Sequence, residues 1–182
     1  MTPDAAPRLP QGCIIRRRAP RDDPDLVRIE NAANRLLAAH GYPHLAAHGI
    51  PDVAWLRGMI EDGDVFVAAT AQDMPAGFAV AQPLAGRLHL RELSVDPDHA
   101  RHGIGTALVR AVIGHARSAD LPGVSLTTFR DVPFNAPFYA RLGFREISGA
   151  QAGPALAEAF RREVPEGVEA SKRAIMVLDF AG

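Results

Sequence analysis

The chain is short of several things. Among 182 residues it has one cysteine, one tryptophan and two tyrosines, and 20 basic against 21 acidic side chains leave a formal charge of −1. A lone cysteine can neither close an internal disulfide nor supply a cysteine-based zinc site. A charge this close to zero removes the electrostatic argument for nucleic acid or an anionic lipid surface as the main partner. No run approaches the roughly 18 apolar residues that a membrane-spanning helix needs. The opening stretch MTPDAAPRLPQGCIIRRRAP carries prolines and charges but no apolar segment of the secretory-signal kind. The expectation is therefore a cytoplasmic protein with no nucleic-acid and no membrane partner. Disorder is excluded for most of the length, because 47% of the residues are apolar, an ordinary fraction for a packed core.

What is plentiful is punctuation: 16 glycines and 15 prolines stand at breaks between periodic segments. Residues 1–11 read as a flexible tail. Cys13–Arg18 reads as a strand, and Asp22-Asp23-Pro24 is a helix-start signal. Leu26, Ile29, Ala33, Leu36 and His40 then recur at helical spacing until Gly41 and Pro43 stop them. Val53, Leu56 and Ile60 mark a second helix. Val65–Ala71, Phe78–Gln82 and Leu88–Val95 read as strands, the first two as a hairpin. A strong helix follows with Ile104, Ala107, Leu108, Ala111, Val112 and His115 on one face. Strand Val124–Phe129, a short helix Asn135–Leu142 capped by Gly143, strand Phe144–Ile147, a helix around Pro154–Arg162 and strand Ala174–Phe180 complete the order. This length and alternation predict one domain over 1–182, of α/β or α+β class, built on one mixed sheet.

The chemistry most visible is a strand running through Ser94, Val95 and Asp96 into a loop whose glycines open a helix. Gly103 and Gly105 permit backbone conformations and close approaches that a side chain forbids. The first amides of a helix lack intrahelical acceptors and carry the positive end of its dipole, so this loop can cradle a phosphate. Arg101 and His102 stand at its rim. A Walker A loop needs Gly-Lys-Ser/Thr, which does not occur. A dinucleotide fingerprint needs a third glycine where Leu108 stands. A lone G-x-G can also do no more than shape a helix start.

The hexapeptide Ala100-Arg101-His102-Gly103-Ile104-Gly105 resembles the acetyl-CoA signature of the GNAT superfamily of N-acetyltransferases, Gln/Arg-x-x-Gly-x-Gly/Ala, with Ala100 departing at the first position. Further along, Tyr139-Ala-Arg-Leu-Gly-Phe144 is similar to the family's Tyr-x-x-x-Gly-Phe motif. The resemblance is clearest over 88–144. It implies a GNAT-like domain whose sheet is mixed and mostly antiparallel, flanked by helices. It also implies acetyl-CoA as co-substrate with no metal, and an acetyl group passed by direct attack in a ternary complex to a primary amine of a small molecule. A protein acetyltransferase acting on lysines or N-termini, or a silent CoA-binding module, are the alternatives.

Carried over residue by residue, the resemblance implies that backbone groups of Leu93 and Val95 hold the pantetheine arm. Amides of Arg101, His102, Gly103, Ile104, Gly105 and Thr106 would hold the pyrophosphate, with Phe138 beside them. Strand-like main-chain hydrogen bonds supply such affinity without special side chains. Tyr139 stands where the family has its general acid, a reading preferred to plain packing beside Phe138 because the polar end of a tyrosine near a cleft mouth needs a partner. A phenol with an ordinary pKa of about 10 keeps its proton at neutral pH. For the base the resemblance puts His89 first, at an offset where relatives carry a Glu or His, with Glu92 as its rival. Plain alternation puts His89, Arg91, Leu93 and Val95 on one face and Leu90, Glu92 and Ser94 on the other, an order that a bulge would reset. Asn135 lies closer to Tyr139 than the family's CoA-contacting asparagine does, so it contacts cofactor or caps the short helix. The family's first helices wall the acceptor pocket, which makes Tyr42 and His44 substrate candidates. His40, His44 and His48 recur every four residues, but Gly41 and Pro43 interrupt them and no carboxylate or thiol joins them, so a metal is not expected. Such folds often pair their final strands across a homodimer.

Overall fold

The computed structural model describes residues 9–180. The tail expected over 1–11 falls largely outside the described residues; of the part seen, Leu9 packs on the main apolar cluster and the Pro10 carbonyl accepts from the Cys13 amide. Strand β1 (Ile14–Arg17) leads to helix α1 (Asp23–Asn34), which starts at the Asp-Asp-Pro signal with Pro24 in its first turn. Asp22 does not cap that helix. Its carboxylate takes the Ala19 amide at 2.7 Å and both terminal nitrogens of Arg16, closing the turn ahead instead.

The apolar periodicity that predicts one helix to Gly41 covers two conformations. After Asn34 the chain tightens into a 3-10 turn over Arg35–His40, which Gly41 ends at φ +90°. Short helix α2 (Pro43–Ala47) follows immediately. A proline fits a helix's first turn as well as it ends the one before, so the expected stop is also a start. Helix α3 (Val53–Ile60) is capped by Asp52, whose side chain accepts from the Trp55 amide.

Next come β2 (Asp64–Ala69), β3 (Pro75–Leu84) and β4 (Arg87–Val95), then α4 (Ile104–Ser118), β5 (Gly123–Phe129), α5 (Ala136–Arg141), β6 (Arg145–Ile147), α6 (Gly149–Glu163) and β7 (Arg173–Asp179). Helix α6 begins earlier than its expected start at Pro154. Ser148 and Gln151 form a reciprocal capping box, and Gly153 at φ +71° bends the helix ahead of Pro154. The sheet order is β1-β2-β3-β4-β5-β7-β6, with β4 and β5 parallel and every other neighbour antiparallel. This is the mixed sheet that the order of elements predicts, mostly antiparallel as the resemblance implies.

Both faces are covered. Ala79, Ala81, Leu88, Leu90 and Leu126 pack under Leu108, Val109 and Val112 of α4. On the other face Val67, Phe78 and Val80 meet Leu26 and Ile29 of α1 and Leu56 and Ile60 of α3, while Ile175 and Val177 meet Leu156 of α6. Gly77 lets α4 approach β3. A Cβ there would stand 3.0 Å from the Ser94 oxygen and 3.1 Å from Ile104. Gly77→Ala is expected to cost roughly 1–3 kcal/mol through overpacking; urea unfolding measures it, and an unchanged midpoint would mean that the helix gives way freely. Among the described residues no helix is long and apolar enough to cross a membrane.

Candidate active site

Strands β4 and β5 pair only over Leu88–Leu90 and Val124–Leu126. Beyond that they part, since β5 continues to Phe129 paired with β7 while β4 continues to Val95 paired with β3. At the parting point β4 bulges: Ala81 faces Leu90, Val80 faces Glu92, and Arg91 is extra. The bulge overturns the plain alternation. His89, Glu92 and Ser94 now share the face of Val80 and Phe78 that α1 covers, whereas Leu93 and Val95 turn towards α4. The Leu93 amide is met by the Glu92 carboxylate at 3.1 Å, and the same oxygen accepts from the Ser94 hydroxyl at 2.9 Å.

The loop after β4 is firmly anchored. Asp96 accepts from the Asp98 amide and pairs with Arg28 of α1 at 2.5 Å. Arg101 and Gly103 both adopt left-handed conformations, φ +63° and +80°, so two successive reversals aim the start of α4 at the gap. In that first turn the amides of Ile104, Gly105 and Thr106 have no acceptor four residues back, while Ala107 bonds the Gly103 carbonyl. The side chains of Ile104 and Thr106 are buried, so these residues offer backbone rather than side chain. A Cβ on Gly105 would touch Phe138 at 3.5 Å and Val95 at 3.7 Å, which places all three around one spot. Arg101 and His102 are exposed at the rim.

Phe138 and Tyr139 of α5 stack edge to face, and Tyr139 does the same with Phe144. Tyr139 is buried, and among the described residues its hydroxyl takes no hydrogen bond. Burial and the nearby Glu92 raise the phenol's proton affinity, and Arg173 opposes them. Asn135 stands at the start of α5 but makes no side-chain cap; its carbonyl, not its amide group, receives Phe138 and Tyr139.

Behind Glu92 lies a polar chain that crosses the parting strands. His89 is fully buried, its Nδ1 3.0 Å from the Ser125 hydroxyl and its Nε2 3.1 Å from Glu163 of α6. A carboxylate only accepts, so Nε2 carries the hydrogen and Nδ1 is left to Ser125. Thr127 donates to Glu163 at 2.6 Å and accepts from Arg173 at 2.9 Å. Arg173 lies over the Phe129 ring at 4.6 Å. Burial alone would push Glu163 up, but His89, Thr127 and Arg173 outweigh it and hold the carboxyl below its ordinary range. Glu92 goes the other way: burial raises it more than Ser94, the Leu93 amide and Arg173 lower it.

Of the residues expected at a site, the fold therefore gathers Glu92, Leu93, Val95, the 101–106 turn, Phe138 and Tyr139 around the gap. His89 has both ring nitrogens engaged under α6, which does not favour direct contact with an incoming amine. Tyr42 is buried, its hydroxyl donating to Asp131 at 3.0 Å and its ring against Phe129. His44 is exposed on α2. His40 meets the Phe134 ring and His48 the His44 carbonyl, and among the described residues no three ligating side chains cluster. Sequence reasoning missed Glu30, Glu163 and Arg173. Glu30 left a trace, a charge on the apolar stripe of Leu26, Ile29 and Ala33. Glu163 and Arg173 left none.

A model of the acetyltransferase (GNAT) family matches residues 29–144. The chain is 30% identical over 147 residues to a mycothiol acetyltransferase of Nocardia farcinica, which covers 75% of this chain and 46% of that protein. It is 39% identical over 71 residues to an amino-acid acetyltransferase of Mycobacterium tuberculosis, covering 39% of this chain and 36% of the relative. The chain thus spans less than half the length of these curated relatives. Among solved structures it is similar to the ribosomal-protein-S18-alanine N-acetyltransferase of Escherichia coli, with 21% identity, 93% and 96% of the two chains covered and a TM-score of 0.66. It is likewise similar to the PaiA N-acetyltransferase of Thermoplasma acidophilum, with coenzyme A bound, at 16% identity, 92% and 99% coverage and a TM-score of 0.65.

Proposed function

The chain belongs to the GNAT acetyltransferase family, and from that premise we propose that it moves an acetyl group from acetyl-CoA to a primary amine of a small molecule by direct attack in a ternary complex. The observation that carries this reading is the parting of β4 and β5 directly beside the unpaired amides of 104–106. The gap offers main-chain groups of Leu93 and Val95 to an extended chain, and the helix start offers N–H groups to a pyrophosphate. The residues present therefore fit acetyl-CoA. Gly103→Val forces a β-branched residue to φ +80°. That costs about 1–3 kcal/mol of local strain, so the KM for acetyl-CoA is expected to rise roughly tenfold. Steady-state kinetics at saturating amine reads this, and an unchanged KM would remove the loop from cofactor binding.

In the reaction the acceptor ammonium gives a proton to Glu92, and the free amine attacks the thioester carbonyl. A carbon–nitrogen bond forms and the carbon–sulfur bond breaks. The oxyanion between these events meets the Leu93 amide, which Glu92 releases as it takes up the proton. Tyr139 donates its hydrogen to the departing sulfur, and the second proton that the attacking nitrogen sheds restores the phenol, so the products are free CoA thiol and an N-acetyl amine, with the first proton left on Glu92. Glu92 suits the base better than His89, because burial has already raised its proton affinity and its carboxylate lies at the gap. His89 instead holds Glu163 in place. The acidic side chains are recessed rather than laid along an open groove, which supports a small acceptor over a protein.

The test is acceptor-dependent thiol release from acetyl-CoA, measured over 1,4-diaminobutane, tyramine, L-lysine and glycinamide with mass detection of the acetylated product. Saturable CoA binding without acceptor-dependent thiol would replace this reading with that of a binding module.

A further inference from the structure

Helix α1 packs on β4, and the charge on its apolar stripe is Glu30, only 7% exposed. One carboxylate oxygen accepts from Asn34 of the same helix at 2.9 Å, and the Ile50 backbone ahead of α3 adds a weaker pull that lowers the group's proton affinity. The other oxygen, Oε2, is buried and has no partner among the described residues. Such an orphaned acceptor costs free energy that folding does not return, unless something else uses it. Among the described residues no guanidinium or ammonium pairs with it. The face of β4 that α1 covers carries another acid, Glu92, whose charge acts on Glu30, and Arg173 of β7 and Glu163 of α6 act in turn on Glu92.

We propose that Glu30 is the second carboxyl of the acceptor site, its unpartnered oxygen and the Glu92 carboxyl together receiving the acceptor's ammonium group. This rests on the acetyl-transfer reading above and adds a residue to it. Two recessed acids whose charges act on each other bind an amine in its charged form, and the same pair then keeps the proton the amine must shed. Burial, and after it Glu92, push the Glu30 pKa up to about 7 against the pull of Asn34 and Ile50, so proton exchange at the pair falls near neutrality. The positive charge arriving between them also draws Glu92 away from the Leu93 amide. Binding of the acceptor thereby frees the donor that the oxyanion needs.

The experiment compares wild type, Glu30→Gln and Glu30→Asp with whichever of the four amines above turns over fastest. Gln keeps the oxygen that Asn34 donates to, and Asp retracts the carboxyl by one methylene; thermal midpoints confirm that each variant is folded. For Glu30→Gln the acceptor KM is expected to rise tenfold or more, with the acetyl-CoA KM within twofold of wild type. The acidic limb of kcat/KM is expected to move to lower pH, because Glu92 has lost a negative neighbour. Glu30→Asp should raise the acceptor KM by an intermediate factor, and it decides the matter alone if the Gln variant does not fold. An active wild type whose variants keep both the acceptor KM and the position of the limb would overturn the role of Glu30 and leave acetyl transfer standing. A wild type without acceptor-dependent thiol release would overturn both.

Discussion

Tyr139→Phe is expected to lower kcat for acetyl transfer by roughly 10²-fold or more, the usual range for losing a positioned proton donor, while acetyl-CoA affinity stays within twofold. The substitution removes one oxygen and keeps the ring, so the edge-to-face contacts with Phe138 and Phe144 persist. That oxygen has no hydrogen-bond partner among the described residues, and folding stability should therefore hardly move. The separation matters, because a loss of turnover without a loss of stability assigns the hydroxyl to chemistry. Burial and Glu92 keep the phenol protonated throughout the working pH range. The same raised affinity makes it a hydrogen-bond donor to a sulfur that is gaining charge rather than a strong acid acting beforehand. Pre-steady-state thiol release reads the step directly, and a variant as fast as wild type would return Tyr139 to packing.

The second large effect is on stability. Arg173→Met should cost roughly 3–5 kcal/mol at pH 8, the range for removing one member of a buried charged network. Arg173 is 9% exposed; its guanidinium donates to Thr127, lies over the Phe129 ring and offsets the charges of Glu163 and Glu92. Methionine fills much of the volume but leaves the charges of two recessed carboxyls without the guanidinium that offsets them. The sign follows from Glu163, whose folded pKa lies below its ordinary value. A depressed carboxyl contributes stability above its unfolded pKa of about 4.3 and loses it as pH falls through the lower folded value. The deficit of the variant should accordingly be full at pH 8 and shrink below about pH 4. Urea unfolding across that window measures it, and equal stability at pH 8 would show that hydration replaces the guanidinium.

Local features were the ones legible in the sequence. The strand, the glycine loop and the helix after it lie within one stretch, and their chemistry is that of backbone conformation, which residue types report directly. The bulge at Arg91 was not legible, because register belongs to two strands at once and nothing in Leu88–Val95 says which residue its partner skips. That one residue decides whether Glu92 shares the face of His89 or lies on the opposite one. The split of the first helix at Asn34 was hidden for a related reason: the apolar spacing of Leu26 to His40 is shared by an α-helix and the 3-10 turn that finishes it. Glu30 could have been found as a charge where the stripe calls for an apolar residue. Glu163 and Arg173 reach the same place from α6 and β7, and only the folded sheet brings them there.

The narrow pairing of β4 with β5 also makes the sheet two wings, β1 to β4 on one side and β5, β7 and β6 on the other. Three residue pairs, the helix α4 and side-chain bonds such as those of His89 to Ser125 and Glu163 join them. A ligand lying along the gap would add main-chain hydrogen bonds to the flank of a wing just where the seam is thinnest. Cohesion between the halves and occupancy of the gap then become one thermodynamic quantity, rising as RT ln(1 + [L]/Kd). In such a molecule the concentration of whatever fills the gap helps to set how firmly the chain holds together.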